Sequence, residues 1–221
     1  MSTYLVTGSN RGIGLEYCRQ LQQRGDNVIA TCRSSSLELD AIGVSVESGV
    51  DISSDKSVQR LKQKLKGVHI DVLIQNAGIA QYNSLSNLDQ GSIIHQFQVN
   101  ALSPLCFTQA FISNMDKGSK VVLISSRMGS IDDNTSGGSY GYRMSKVALC
   151  MAGKSLSIDL KPNEISVGIM HPGLVSTRMT GFTTQGINAK ESVEGLLSRI
   201  DSLTLDNSGT FWHSNGEILP W

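Results

Sequence analysis

Val121-Val-Leu-Ile124 is a run of apolar residues set between Lys120 and Ser125. It is short for a helix, and its continuity excludes a strand with one wet face. Such a run suits a strand covered on both faces, as in a parallel sheet whose crossovers lay helices above and below. Comparable segments recur along the chain and predict strands over Tyr4–Thr7, Asn27–Arg33, Val44–Val50, Asp71–Gln75, Lys120–Ser125, Ile165–His171 and Gly209–His213. Between them apolar residues return every three or four positions, which predicts helices over Gly12–Arg24, Lys56–Lys66, Asp89–Met115, Tyr142–Leu160 and Lys190–Asp201. This alternation implies an α/β fold, a doubly wound parallel sheet of about seven strands with helices on both faces. A chain of 221 residues fits one domain, 1–221, and no linker, repeat or low-complexity tract divides it.

In a sheet of this kind the loops at the carboxyl ends of the strands carry the site. The first of them is Thr7-Gly-Ser-Asn-Arg-Gly-Ile-Gly14, between the first strand and the first helix. Its glycines, Gly8, Gly12 and Gly14, let backbone turn tightly and approach a pyrophosphate, which the free N–H groups of the helix start attract. A tight strand-to-helix connection with no ligand is the other reading. The following βαβ unit favours a dinucleotide. At the end of the second strand, Ala30-Thr-Cys-Arg33 lacks the acid that bonds a free ribose 2′-hydroxyl, and Arg11 lies within the loop. Two guanidiniums suit a 2′-phosphate, so NADP(H) is the expected cofactor, with NAD(H) the alternative.

Charge adds exclusions. Nineteen basic residues balance nineteen acidic ones, so no overall field recruits nucleic acid or an anionic membrane. No apolar run is long enough to predict a membrane span. Cys18, Cys32, Cys106 and Cys150 lie far apart, and His69, His95, His171 and His213 show no metal-ligand spacing, so no metal is expected. Reduced thiols and a first strand at the outset predict a cytoplasmic location.

Tyr142 and Lys146 are four apart on a predicted helix and share one face. A tyrosine pKa of about 10 is too high for proton exchange near neutrality, and lowering it by about three units takes roughly 4 kcal/mol. One cation at about 4 Å in an effective dielectric near 20 supplies about that. Tyr142 is thus a candidate general acid/base with Lys146 as its tuner, or else a half-buried phenol beside a surface lysine.

Taken together the motifs resemble the classical short-chain dehydrogenase/reductase family over essentially the whole chain. Thr7–Gly14 resembles its cofactor loop, taking in Asn10, Arg11 and Ile13, and Asn76-Ala77-Gly78 its Asn-Ala-Gly motif. Asn100, Ser126, Tyr142 and Lys146 are similar to its catalytic set, Asp51-Ile52 to the pair at the adenine, and Pro172, Gly173, Val175 and Thr177 to the segment at the nicotinamide. The resemblance implies a Rossmann-type fold and an oxidoreductase. Tyr142 would protonate the oxygen of a carbonyl receiving hydride, Ser126 would hold that oxygen, Lys146 would also grip the nicotinamide ribose, and Asn100 would hold a proton-relay water. Gly137–Lys146 and the ending Asn215–Trp221 resemble the C-factor and sniffer-type carbonyl reductases, so an NADP-binding signalling protein with little catalysis is the alternative function.

Two departures stand out. Gln75 occupies a position where many members have asparagine, and the stretch from Ser126 to Tyr142 is longer than usual, the surplus falling in Asp132–Gly138. Ser125 is the alternative serine. The segment Met179–Lys190, where a substrate lid is expected, is short, with Phe182 and Arg178 its only evident selectors, which predicts an open site for small aldehydes, ketones or quinones. A homodimer through the helices of Asn100 and Tyr142 is a further expectation, with Leu105, Phe107, Phe111 and Met151 as candidate contacts or, equally, as core.

Overall fold

A computed structural model describes residues 1–221. It contains one sheet of seven parallel strands: β1 (Thr3–Thr7), β2 (Asn27–Thr31), β3 (Ser45–Glu47), β4 (Val72–Gln75), β5 (Lys120–Ile124), β6 (Ser166–His171) and β7 (Phe211–His213). The order is β3-β2-β1-β4-β5-β6-β7, so the direction of winding reverses at β1 and β4. That reversal opens a crevice at the carboxyl ends of these two strands, the usual place for a ligand in such a sheet.

Helices α1 (Gly12–Gln23), α2 (Leu37–Asp40) and α7 (Ala189–Asp201) cover one face, and α3 (Asp55–Lys64), α4 (Gln90–Phe97), α5 (Ser103–Phe111) and α6 (Tyr140–Asp159) lie on the other. The strands are continuously apolar because successive residues serve different cores. Tyr4 and Val6 pack with Tyr17, Leu21 and Leu196, whereas Leu5 between them packs with Phe107, Phe111 and Leu149. No helix is long and apolar enough to cross a membrane.

Several boundaries differ from the sequence expectation, each for a local reason. β3 is much shorter than Val44–Val50, because the left-handed Gly49 (φ 72°) turns the chain out of the ladder. β2 ends at Thr31, although Cys32 and Arg33 still exchange backbone bonds with Glu47, Gly49 and Val50. β7 begins at Phe211, after the left-handed Gly209 (φ 76°). The short α2, capped by Ser36, has too few turns to show a period.

The largest difference lies in the expected helix Asp89–Met115, which is α4, a π-helical turn over Gln98–Leu102, and then α5. Pro104 has no N–H to offer the carbonyl of Asn100 four residues back, so a regular α-helix cannot run through this point. The extra residue of the π turn, where Ser103 N–H reaches the Gln98 carbonyl, absorbs the break. Phe107 and Phe111 are stacked 4.7 Å apart in the core, so of the four candidate dimer contacts only Leu105 and Met151 are exposed.

Candidate active site

At the crevice the glycine loop is fixed by its neighbours from β4. Thr7 Oγ1 accepts hydrogen bonds from Asn76 N (3.0 Å) and Ala77 N (3.1 Å), and Asn76 Nδ2 donates to the carbonyls of Thr7 (2.9 Å) and Gly8 (3.2 Å). A Cβ at Gly14 would lie 2.2 Å from the Gly8 carbonyl oxygen, and one at Gly8 would lie 2.8 Å from Ala77 Cα. Glycine is thus demanded by close backbone approach.

The crevice fits a dinucleotide on one further observation. Side-chain acceptors cap α3 (Ser54), α4 (Asp89) and α7 (Asn188), and Asn83 Oδ1 accepts from Gly141 N–H in the first turn of α6. The first turn of α1 meets no side-chain cap and contains no acid. Its N–H groups and helix dipole therefore face the crevice with their anion-binding capacity intact. Arg11, the residue before this helix, and Arg33 beyond β2 are both exposed, and Asn10 Nδ2 donates to the Ser34 carbonyl (2.9 Å), tying the loop to the segment after Arg33. Asp51 follows β3 with Oδ1 accepting from Ser53 N (2.9 Å) and Ser53 Oγ (2.7 Å). Those bonds, aided by nearby Arg33, hold its carboxyl below the usual aspartate range. Ile52 beside it is buried against the core, and Ile13 packs on the opposite one.

The far wall of the crevice is the segment after β6. Pro172 is held through its carbonyl by Ser192 Oγ (2.6 Å) and Ser214 Oγ (3.2 Å), and left-handed Gly173 (φ 87°) turns beneath Ile187 and His213. Val175 is buried and bridges to Ile187. The methyl group of Thr177 lies 3.5 Å from where a Cβ on Gly12 would sit, so this segment meets the glycine loop directly.

Beyond it lie the reacting candidates. Ser125 points back into α6, its Oγ donating to the Lys146 carbonyl (3.2 Å) and lying 3.1 Å from Cys150 Sγ. Ser126, one residue on, turns the opposite way and accepts from Met128 N (3.2 Å), capping the 3₁₀ turn Arg127–Gly129. Its side chain lies near Tyr142 and acts to lower the pKa of the phenol. This geometry selects Ser126 over Ser125 as the serine that shares a site with Tyr142. Lys146, 5 % exposed, donates from Nζ to the Ile124 carbonyl (2.8 Å) and stands 5.7 Å from the centre of the Tyr142 ring.

Burial raises the Tyr142 pKa and Ser126 opposes it. Burial also brings Lys146 down to about 8. The expected partner of the phenol, the Lys146 ammonium, stands over its ring, while the causes that shift the Tyr142 pKa are burial and Ser126.

Asn100, fully buried in the π turn, has its amide committed. Oδ1 accepts from Ile79 N (2.8 Å), and Nδ2 donates to Ile79 O (2.8 Å) and Ser145 Oγ (3.0 Å). It joins the loop after β4 to α6. Gly78 sits at the same junction, where a Cβ would be 3.2 Å from Asn100 Oδ1 and 3.7 Å from Lys146 Nζ.

Some participants escape a reading of the sequence. Gln75 is buried and donates to Pro104 O (3.2 Å) and Thr108 Oγ1 (3.3 Å), bracing β4 against the helix that follows the π turn. A longer side chain than asparagine is what spans that gap. Ser145, between Tyr142 and Lys146 in the motif, donates to the Tyr142 carbonyl (2.7 Å) and accepts from Asn100. His171 and His213 are paired in register on β6 and β7 with rings edge to face at 4.9 Å. The Nδ1 atom of His171 is buried without a partner, and burial takes its pKa to about 3, so the ring is neutral.

Comparisons with known proteins identify the family and the fold. Residues 2–188 match the sequence profile of the short chain dehydrogenases. The chain is 41 % identical over its full length to 1-hydroxy-2-glutathionyl-2-methyl-3-butene dehydrogenase of Rhodococcus sp. (strain AD45), whose whole length is also covered. It is 41 % identical over 69 % of its length to the C-signal protein of Myxococcus xanthus, covering 93 % of that protein. Among solved structures it resembles the NADPH-bound carbonyl reductase from chicken fatty liver (TM-score 0.90, 27 % identity, 100 % of this chain and 99 % of that one). The carbonyl reductase Sniffer of D. melanogaster is similar too (TM-score 0.89, 28 % identity, both chains covered completely). The chain belongs to the short-chain dehydrogenase family and is an NAD(P)-dependent oxidoreductase.

Proposed function

We propose that the protein is an NADPH-dependent carbonyl reductase with Tyr142 as general acid. The observation that carries this reading is the convergence of Ser126, Tyr142 and Lys146 at the ends of β5 and α6, beside the crevice. A bound nicotinamide dinucleotide supplies the hydride. Ser126 holds the carbonyl oxygen, where a donor of this kind is worth roughly 10²–10³-fold. Tyr142 gives that oxygen its proton, worth roughly 10²–10⁴-fold. Lys146 has three donors and only the Ile124 carbonyl as acceptor, so it has hydrogen bonds to spare for the ribose. Asn100, its side chain spent on Ile79 and Ser145, retains a backbone carbonyl without its α-helical donor, and that oxygen is the group suited to hold a relay water.

Gly8, Gly12, Gly14 and the α1 start bind the pyrophosphate, with Asn76, Ala77 and Gly78 as the floor and Pro172–Thr177 closing over the nicotinamide. Asp51 and Ile52 flank the adenine. Arg11 and Arg33, exposed beside Asn10, take the 2′-phosphate, which is the support for NADPH over NADH. In Arg33→Asp the ratio of KM for NADPH to that for NADH should rise by about tenfold or more, on the scale of one charge-assisted contact. An unchanged ratio removes the assignment.

The decisive experiment is NADPH oxidation by wild type and Tyr142→Phe against small aldehydes, ketones and quinones, with NADPH binding followed in both. Turnover by the wild type and a loss of roughly 10²-fold or more in a variant that still binds NADPH is the expected outcome. If both bind NADPH and neither reduces a carbonyl, the signalling role suggested by the C-signal similarity becomes the better reading. The uncharged segment Gln90–Met115, with Ile94 and Leu102 exposed, and the exposed Met151 and Ile158 of α6 support pairing of two copies across these helices. Sedimentation of wild type against Met151→Glu tests this, a monomer in both being the adverse result.

A further inference from the structure

Helix α4 has a single fully buried residue, and it is a glutamine. Gln96 has no exposed surface, and Asn83, in the loop after β4, is 3 % exposed. A buried amide is costly unless its polar atoms are matched, and these two match one another. Gln96 Oε1 accepts from Gln81 N (2.9 Å), while Nε2 donates to Ser92 Oγ (3.3 Å) and to Asn83 Oδ1 (3.3 Å). Asn83 Oδ1 accepts a second bond from Gly141 N (3.3 Å), and Asn83 O accepts from Ser139 N (2.8 Å).

Both oxygens of Asn83 are thus spent on the start of α6, a helix that does not cap itself. Ser139, the residue before it, is left-handed (φ 49°), and its side chain makes no cap bond. An ordinary N-cap is extended and turns its own oxygen onto an N–H of the first turn. Asn83 supplies that oxygen from another part of the chain. Gly141 lets the pair come close, since a Cβ there would lie 2.6 Å from Gln96 Nε2, 2.9 Å from Asn83 Oδ1 and 3.1 Å from Ile93 Cα. The next residue is Tyr142, so the setting of this turn decides where its hydroxyl stands relative to Ser126. The following turn has a comparable brace, with Asn100 bonded to Ser145 and Lys146 to the Ile124 carbonyl.

We propose that Asn83 and Gln96 are positioning residues for Tyr142: Asn83 caps α6 from the neighbouring loop, Gln96 aims that cap, and together they fix the turn that presents the phenol. The proposal rests on the carbonyl reductase reading and adds two residues that act through the helix, not on the reacting atoms. The bonds have a direction, which gives the test its contrast. Asn83 uses its oxygen for both side-chain bonds, so an aspartate keeps them, and a negative charge suits a helix N-terminus. Gln96 offers its nitrogen to Asn83, so a glutamate would set acceptor against acceptor. Asn83 could answer that change by turning its own nitrogen inward, which would leave the Gly141 N–H unmatched.

The test is kcat, KM and NADPH Kd with a small aldehyde for wild type, Asn83→Ala, Asn83→Ser, Asn83→Asp and Gln96→Glu, each well below its melting temperature. In Asn83→Ala kcat should fall roughly 10–10²-fold, the scale for a reacting group set about 1 Å out of place, while KM and NADPH Kd stay near the wild-type values. Asn83→Asp should recover most of kcat, and Gln96→Glu should lose it as Asn83→Ala does. Asn83→Ser, with a shorter side chain that still carries an oxygen, should show a smaller loss in kcat and decides the matter if Asn83→Ala does not fold. Losses shared equally by kcat and NADPH binding, an Asn83→Asp no better than Asn83→Ala, or full activity in every folded variant would overturn the proposal and leave the reductase reading intact. No turnover of any carbonyl by the wild type overturns both.

Discussion

The two sides of the crevice are held by different materials. On the cofactor side the contacts are backbone against backbone: Gly14 against the Gly8 carbonyl, Gly8 against Ala77, with Thr7 and Asn76 tying strand ends together. On the other side, which the reductase reading gives to the substrate, the contacts run through long side chains, Arg127 to Glu217 and Arg143 to Ser136 and Met128. A surface made of main chain admits one residue type and reads a part of the ligand that does not vary. One made of side chains can be redrawn by single substitutions, which suits the part of the ligand that differs among relatives.

The same chemical change on each side sharpens this contrast. In Gly14→Ala the new Cβ meets a carbonyl oxygen at 2.2 Å and Asn76 Nδ2 at 2.6 Å, so main chain must move. Strain of about 1–3 kcal/mol is expected, together with a fall of roughly 10²-fold in NADPH affinity as the loop and the α1 start separate. In Gly137→Ala the Cβ meets nothing within 4 Å, and only the left-handed φ of 62° is unfavourable. Its cost should be about 1–2 kcal/mol with NADPH binding unchanged. Thermal unfolding and cofactor titration of the two proteins check both halves. Equal losses of NADPH affinity would abolish the distinction.

Lys146 lies where the two sides meet, and its burial makes a pH prediction. Its folded pKa is about 8 against the ordinary lysine value of 10.5, so between these values the unfolded chain holds more protons than the folded one. Stability therefore rises with pH across that window through this group. Below it the buried charge costs the fold its full amount. Lys146→Met removes that dependence, so the stability of the variant relative to wild type should be most favourable below pH 8 and decline toward 10.5. Urea titrations at several pH values measure the slope. A difference that is flat or grows with pH would mean that the lysine is not desolvated in the folded protein.

This contrast also explains what could be read from the sequence. Glycines forced by close approach appear at fixed spacing next to the strand they follow, so the loop at Thr7–Gly14 and the β-strand pattern were visible, and with them the sheet. Tyr142 and Lys146 share a helix face and announce themselves by period. Other features depended on partners far along the chain. The π turn at Asn100 has its signal in Pro104, a single residue that in a helical pattern is easily passed over as a first-turn proline. Gln75 became intelligible only with Pro104 and Thr108 placed beside it, and the tuning of Tyr142 turned on burial, which no spacing reveals. The segment 131–138 gave only its length. Its partners Asn83, Arg127, Arg143 and Trp221 come from the loop after β4, the turn after β5, helix α6 and the end of the chain.

One exposed link in that assembly is the ion pair of Arg127 with Glu217, and it separates two views of this side of the crevice. The guanidinium is 38 % exposed and the carboxylate 49 %, so water and salt screen the pair, and its removal in Glu217→Gln should cost about 0.2–1 kcal/mol. Arg127 keeps Asp133 as a partner at 3.7 Å, and Asp132 keeps its backbone bond to Trp221, so the segment stays attached. Turnover of carbonyl substrates should change less than threefold, which corresponds to about 0.7 kcal/mol. A loss of tenfold or more, with the melting temperature barely altered, would show that this side depends on one exposed contact. The side-chain half of the site would then be as intolerant of change as the backbone half.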